Sequence, residues 1–268
     1  MSLLRDSFEG INARFHLVGV YTLAALLFRM AGTYTGDDPG WIFLIVLAIM
    51  LFYVCVCGVM GHTYQAAAGR PAPMPFVGYA LRLFVPLLWL SIKIFVPVFG
   101  LTVCGAFLYH AAAGIGTPFE KWLPGVFFWA DPLVGLVVQV LALYSTPLCI
   151  QGLDRRVRRP SIREGLRYFA AAPAASRRLV SLLILIAALG GGLQFARGSE
   201  AKDAPPDFPE AMILFATSYL SLVTFFGATR VVLSLPDPRA RRDLAAAAAA
   251  PVTPPGPALP SGEDGPPA

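Results

Sequence analysis

Six side chains lie in or at the ends of long apolar runs, where any chemistry inside this chain would have to occur: Arg29, Lys93, Asp131, Gln139, Gln194 and Arg230. A charged or strongly polar group in hydrocarbon is costly, so each is a functional hypothesis until a partner explains it. Gln139 is the deepest in its run. Its simplest reading is a hydrogen bond between helices, worth about 0.6 kcal/mol on average. Lys93 lies near the start of its run, where its ammonium can reach the interface. The sharper reading puts Lys93 and Gln139 in one pocket for an anionic group. Pro86, Pro97, Pro132 and Pro147 interrupt helical hydrogen bonding and would expose polar backbone to such a cavity.

Other chemistry lacks its residues. His16, His62 and His110 are scattered and form no metal-ligand spacing. Cys55, Cys57, Cys104 and Cys149 all fall in apolar runs and read as small fillers. Cys55 and Cys57 are two apart, so on a helix they point roughly 200° apart. The zinc-protease, nucleophile-elbow and phosphate-loop patterns do not occur in the sequence. The expectation is a protein with no catalytic residues, no metal and no cofactor.

Composition explains why polar residues are so few. Of 268 residues, 56% are hydrophobic and 14% charged, whereas soluble domains carry about 25% charged residues. Mean hydropathy is +0.65. An all-α polytopic membrane bundle follows. A spanning helix needs about 20 mostly apolar residues. Six stretches qualify, at about 15–33, 41–60, 86–109, 126–150, 179–196 and 211–235, the first and fifth being short. The first is expected to be a retained span and not a cleaved signal, because mixed charges precede it. Residues 236–268 are rich in Pro and Ala and read as a disordered tail.

Charge orients the spans. Lys and Arg concentrate on the cytoplasmic side. Segment 151–178 holds eight arginines against Asp154 and Glu164; segment 61–85 holds Arg70 and Arg82 and no acid. The tail adds Arg239, Arg241 and Arg242, while segments 34–40 and 197–210 carry most of their charge as acid. With six spans, every basic segment falls on one side, and both termini are cytoplasmic. The expected location is a bacterial inner membrane. Trp122 and Phe119, in an external loop, fit an aromatic belt.

Two basic segments share a form, "RPAPMPFVGYALRLF" from Arg70 and "RPSIREGLRYFA" from Arg159. In the second, Ser161 and Glu164 have capping-box spacing, and Pro173 stops the helix. Ile162, Leu166 and Phe169 make an apolar stripe, with Arg163 and Arg167 on another face. Such a helix lies among lipid headgroups with its arginines on phosphates. In the first, prolines delay helix formation until Phe76, after which Val77, Leu81 and Phe84 follow helical spacing. The two segments form a candidate internal repeat of span, basic turn, interfacial helix and span. Arg155, Arg156, Arg158, Arg159, Arg163 and Arg167 are the candidate contacts to anionic lipid. Arginines beside a membrane read as orientation and lipid contact, and no nucleic-acid partner is expected.

This arrangement, with an interfacial helix that ends in Leu-Arg, resembles bacterial DUF4013-type proteins, a group that includes YciC-like proteins and the membrane domain found beside glycerophosphodiester phosphodiesterases. The resemblance covers most of the chain to about residue 235. It implies a six-span helical membrane protein without catalytic residues. The acidic, Trp-bearing stretch expected near 71–80 is missing here.

Three functions fit. One is a non-enzymatic organiser of lipids or of a membrane protein partner through the basic face. The alternative is a small-solute or lipid-handling transporter with a pocket at Lys93 and Gln139. The third is an enzyme with an unrecognised site, for which few residues are available.

Overall fold

The structure is a computed structural model that describes residues 2–33, 40–154, 162–197 and 206–235. By contacts the chain divides into residues 1–233 and 234–268. The first unit holds the helical bundle. The tail expected to be disordered, 236–268, lies outside the described residues.

The described residues are helical throughout, without strands. In chain order the helices are α1 (Ser2–Asn12), α2 (Phe15–Thr33), α3 (Gly40–Ala67), α4 (Phe76–Ala112), α5 (Phe119–Asp154), α6 (Ile162–Ala171), α7 (Pro173–Arg197) and α8 (Phe208–Ser234). Helices α3, α4, α5, α7 and α8 are long and apolar enough to cross a membrane. α1 and α2 together make a sixth candidate, as a pair bent by 78° at residues 13–14. To within a residue, each of the six expected spans lies inside a helix, usually a longer one. At 1.5 Å per residue α4 is about 55 Å long, against about 30 Å of hydrocarbon. Part of it therefore extends beyond the apolar layer.

The connections are set by local chemistry. α3 ends in a Schellman motif: Arg70 N–H donates to Gln65 C=O at 3.0 Å and Gly69 N–H to Ala66 C=O at 3.1 Å. This ending needs a left-handed residue, and Gly69 supplies it at φ 67°. The "PAPMP" run then holds the chain out of helix until Phe76.

Two observations depart from the sequence reading. The first basic segment is not a separate interfacial helix. It runs straight into the following span, because Pro86 lies inside α4 without ending it. And α1 was not foreseen, although Leu4, Phe8 and Ile11 recur at helical spacing.

Three short amphipathic segments lie against three long helices. α1 lies on α8, with Gly10 beneath the Phe226 ring. The start of α4 lies on α3, where a Cβ at Gly61 would come within 2.7 Å of the Tyr79 ring. α6 lies on α5, with Gly165 against Ser145. Each contact has a glycine, whose missing side chain leaves room for an aromatic ring at Gly10 and Gly61 and for the Ser145 backbone at Gly165. The long helices are accordingly buried on every side there, at 143–150 of α5 and 222–229 of α8. Each short segment then leads into another span: α2, the remainder of α4, or α7.

The repeat is visible in burial. Ala80 and Gly165 are buried, Leu81 and Leu166 exposed, Leu83 and Tyr168 buried, Phe84 and Phe169 partly covered, Val85 and Ala170 exposed. The protein-facing stripe is therefore the small and aromatic one. Leu166 at 45% exposure, with Val77 and Leu81, points away from the bundle. The expected stripe of Ile162, Leu166 and Phe169 is split: Ile162 packs on the core and Phe169 on Tyr144, while Leu166 faces out. Hydropathy gives a glycine little weight, so Gly165 was not read as the contact.

Candidate functional site at the basic end of the bundle

The short segments gather at one end of the bundle, and most of the described arginines gather with them. Arg70, Arg82, Arg163, Arg177 and Arg178 are exposed there, and Arg167 is partly so. Arg155, Arg156, Arg158 and Arg159, which were also expected to contact lipid, lie outside the described residues.

This end is tied together by polar contacts between helices. Gln65 Nε2 of α3 donates to Asp154 Oδ2 of α5 at 2.9 Å. Arg82 Nη2 of α4 donates to the Leu153 carbonyl at 2.9 Å. An aspartate at a helix C-terminus meets the negative end of the dipole, so the Gln65 amide and the Arg82 guanidinium both compensate it. Tyr144 and Ser176 join α5 to α7 by hydroxyls 2.9 Å apart, and Tyr168 and Phe169 of α6 cover the Tyr144 ring. At α1, Asp6 lies 3.7 Å from Arg230, and the Tyr219 hydroxyl donates to Asn12 Oδ1 at 2.7 Å. The basic face thus sits on a cross-braced platform, with many of its guanidinium groups free to meet anions.

The intramembrane polar residues sort into partnered and unpartnered. Arg29 Nε donates to Glu210 Oε1 at 2.8 Å, at the opposite end, with the Glu210 side chain 7% exposed. Asp207 caps α8 by accepting the Glu210 N–H at 2.9 Å. Glu210 was not among the candidate residues, although Asp207 and Glu210 have capping-box spacing. Gln194 answers a proline. Pro132 has no N–H, so the Phe128 carbonyl four residues back loses its helical donor. Gln194 Nε2 of α7 donates to that carbonyl at 2.7 Å. Gly191, in the "GGG" run, brings α7 against the Pro132 ring, 3.1 Å from where a Cβ would be.

Lys93 and Gln139 do not close a pocket between them. Both are on the exposed surface, each one position from a residue packed in the core, Ile94 and Val138. Lys93 Nζ lies 5.2 Å from the centroid of Trp89, itself half exposed. A cavity of about 170 Å³ lies between α2 and α3, lined by apolar side chains such as Leu23, Leu27, Leu51 and Phe52, with Cys55. The aromatic belt expected near Trp122 is a cluster: Tyr109, His110 and Phe119 all meet Trp122, with centroids 5.2–6.2 Å apart.

Among the described residues no group of His, Cys, Asp and Glu could hold a metal ion. Comparison with protein-family models, curated proteins and solved structures finds no match for this chain. What the fold and site define is a class: an all-helical bundle with five or six helices able to cross a membrane and a braced basic end.

Proposed function

We propose that this protein is a non-enzymatic membrane organiser that gathers anionic lipid, and through it a membrane protein partner, on a basic cytoplasmic face. The observation that carries this reading is the separation of roles at the basic end. The part-buried Gln65–Asp154 and buried Tyr144–Ser176 contacts hold the helices, while Arg163, Arg177 and Arg178 stay exposed. Each basic residue near an anionic surface contributes about 1 kcal/mol, so four or five together hold lipid or an acidic partner segment reversibly. The charge bias favours a cytoplasmic position for this face in a bacterial inner membrane. The DUF4013-type resemblance agrees with a role without catalysis.

The alternative, a transporter with a pocket at Lys93 and Gln139, is disfavoured by the outward position of both residues. Mass spectrometry of what stays bound after gentle solubilisation separates the two. The organiser reading expects anionic lipid or a stoichiometric protein, lost when Arg163, Arg167, Arg177 and Arg178 are changed together to Glu. A small solute, lost in Lys93→Ala or Gln139→Ala, would replace it with the transporter.

A further inference from the structure

Lys93 is a cation inside a span with no anion from its own chain. Its side chain is exposed, and its ammonium makes no hydrogen bond or ion pair to any described residue. The other cations in the spans have acidic partners: Arg29 meets Glu210 at 2.8 Å and Arg230 lies 3.7 Å from Asp6. Lys93 meets only the Trp89 ring, with Nζ 5.2 Å from its centroid. A ring face attracts a cation but brings no opposite charge, and an unneutralised charge beside hydrocarbon is costly.

Depth and neighbours say what supplies the anion. Trp and Tyr collect at both boundaries of a membrane. Trp89 and Tyr109, the latter stacked on Trp122, stand 20 residues apart on α4. At 1.5 Å per residue that is about 30 Å, the thickness of the hydrocarbon. Trp89 thus marks the boundary nearer the basic end, and Lys93 lies one turn inside it. Helical side chains lean toward the N-terminus, which carries the ammonium back to the level of Trp89. Leu90 and Ile94, on one flank of Lys93, pack in the core. The other flank is open: Trp89, Ile92 and Val96 are 50%, 42% and 59% exposed.

We infer that Lys93 and Trp89 form a binding site for one anionic phospholipid, its phosphate on the Lys93 ammonium and an acyl chain along Ile92 and Val96. Charge selects the phosphate, and the apolar flank selects a lipid as its carrier. A free phosphate would have to give up its water to reach this depth. A lipid phosphate already lies there, and its chains cover the exposed residues below. The site is on α4, apart from the arginines of α6 and α7, so it goes beyond the basic-face reading and does not depend on it.

The test is quenching of Trp89 fluorescence by brominated lipid, in full-length protein carrying Trp41→Phe, Trp122→Phe and Trp129→Phe. The protein is reconstituted in phosphatidylcholine vesicles with brominated phosphatidylglycerol or brominated phosphatidylcholine. Phosphatidylglycerol is expected to be preferred at Trp89 about fivefold, which corresponds to about 1 kcal/mol for one basic residue. Lys93→Met brings the ratio to about one, and Lys93→Arg keeps most of it. Changing Arg163, Arg167, Arg177 and Arg178 to Glu leaves the ratio nearly unchanged while removing lipid from the basic face, so the two readings fail separately. Equal quenching by both lipids, or a preference that survives Lys93→Met, would overturn the inference. So would displacement of the lipid by millimolar inorganic phosphate, which would assign the site to a free anion. Native mass spectrometry with all four tryptophans in place gives an independent readout: Lys93→Met is expected to retain one phosphatidylglycerol fewer than wild type, and an equal number would also overturn it.

Discussion

At the scale of single residues, one polar group in the apolar layer is a repair. Gln194 repairs Pro132, and the claim has a thermodynamic signature. Gln194→Leu is expected to destabilise the protein by about 1 kcal/mol, in line with hydrogen bonds between membrane helices. In a Pro132→Ala background, where the substituted residue supplies its own N–H to the Phe128 carbonyl, the same change costs much less. Denaturant unfolding of the four proteins in micelles measures this cycle. Equal losses in both backgrounds would mean that the Gln194 bond is incidental. The Arg29–Glu210 pair makes a second case. Removing either partner strands the other, and a cost of about 1–3 kcal/mol is expected, below the fully buried range because Arg29 keeps some exposure. The double change to Ala is expected to cost less than the sum of the two single changes.

Elements were legible in the sequence to the extent that hydropathy records them. All six expected spans coincide with helices, because about 20 mostly apolar residues have few other stable arrangements in a membrane. The helix at Ile162–Ala171 was legible from its capping pattern and Pro173. What escaped was close packing. The contact face of α6 runs through Gly165 and Tyr168, and that of α3 through Gly61, which contribute little to a hydrophobic stripe. Long-range partners escaped as well: Glu210 is 181 positions from Arg29 and Asp154 is 89 from Gln65. Packing through glycine makes Gly165 the sensitive position of its helix. Gly165→Leu overpacks the α5–α6 contact, at a cost of about 1–3 kcal/mol, and raises protease cleavage within 155–172 of the membrane-embedded protein. Leu166→Ala leaves cleavage unchanged, since Leu166 points outward. The opposite ranking would restore the stripe through Leu166 as the docking face.

For the whole molecule, the three short-on-long contacts impose one constraint. α1 on α8, the start of α4 on α3, and α6 on α5 all lie at the basic end. The N-terminal helix therefore completes the same design that the two interior segments show. Gly10→Leu is expected to lower thermal stability even though residue 10 is far from the apolar layer's middle, because Phe226 occupies the space its side chain would need. Function depends on where this end faces. The proposal requires Arg70, Arg82, Arg163, Arg177 and Arg178 to meet the cytoplasm together. The most direct measurement is cysteine accessibility in a variant whose four native cysteines are replaced by Ala. Single reporters at Ala72 and Ala175, at the basic end, and at Gly116, in the loop between α4 and α5, are exposed to a membrane-impermeant maleimide. Only the Gly116 reporter is expected to label in intact cells, with the other two labelling once the membrane is opened. Labelling of the basic-end reporters in intact cells would contradict this and remove the cytoplasmic face on which the proposed function rests.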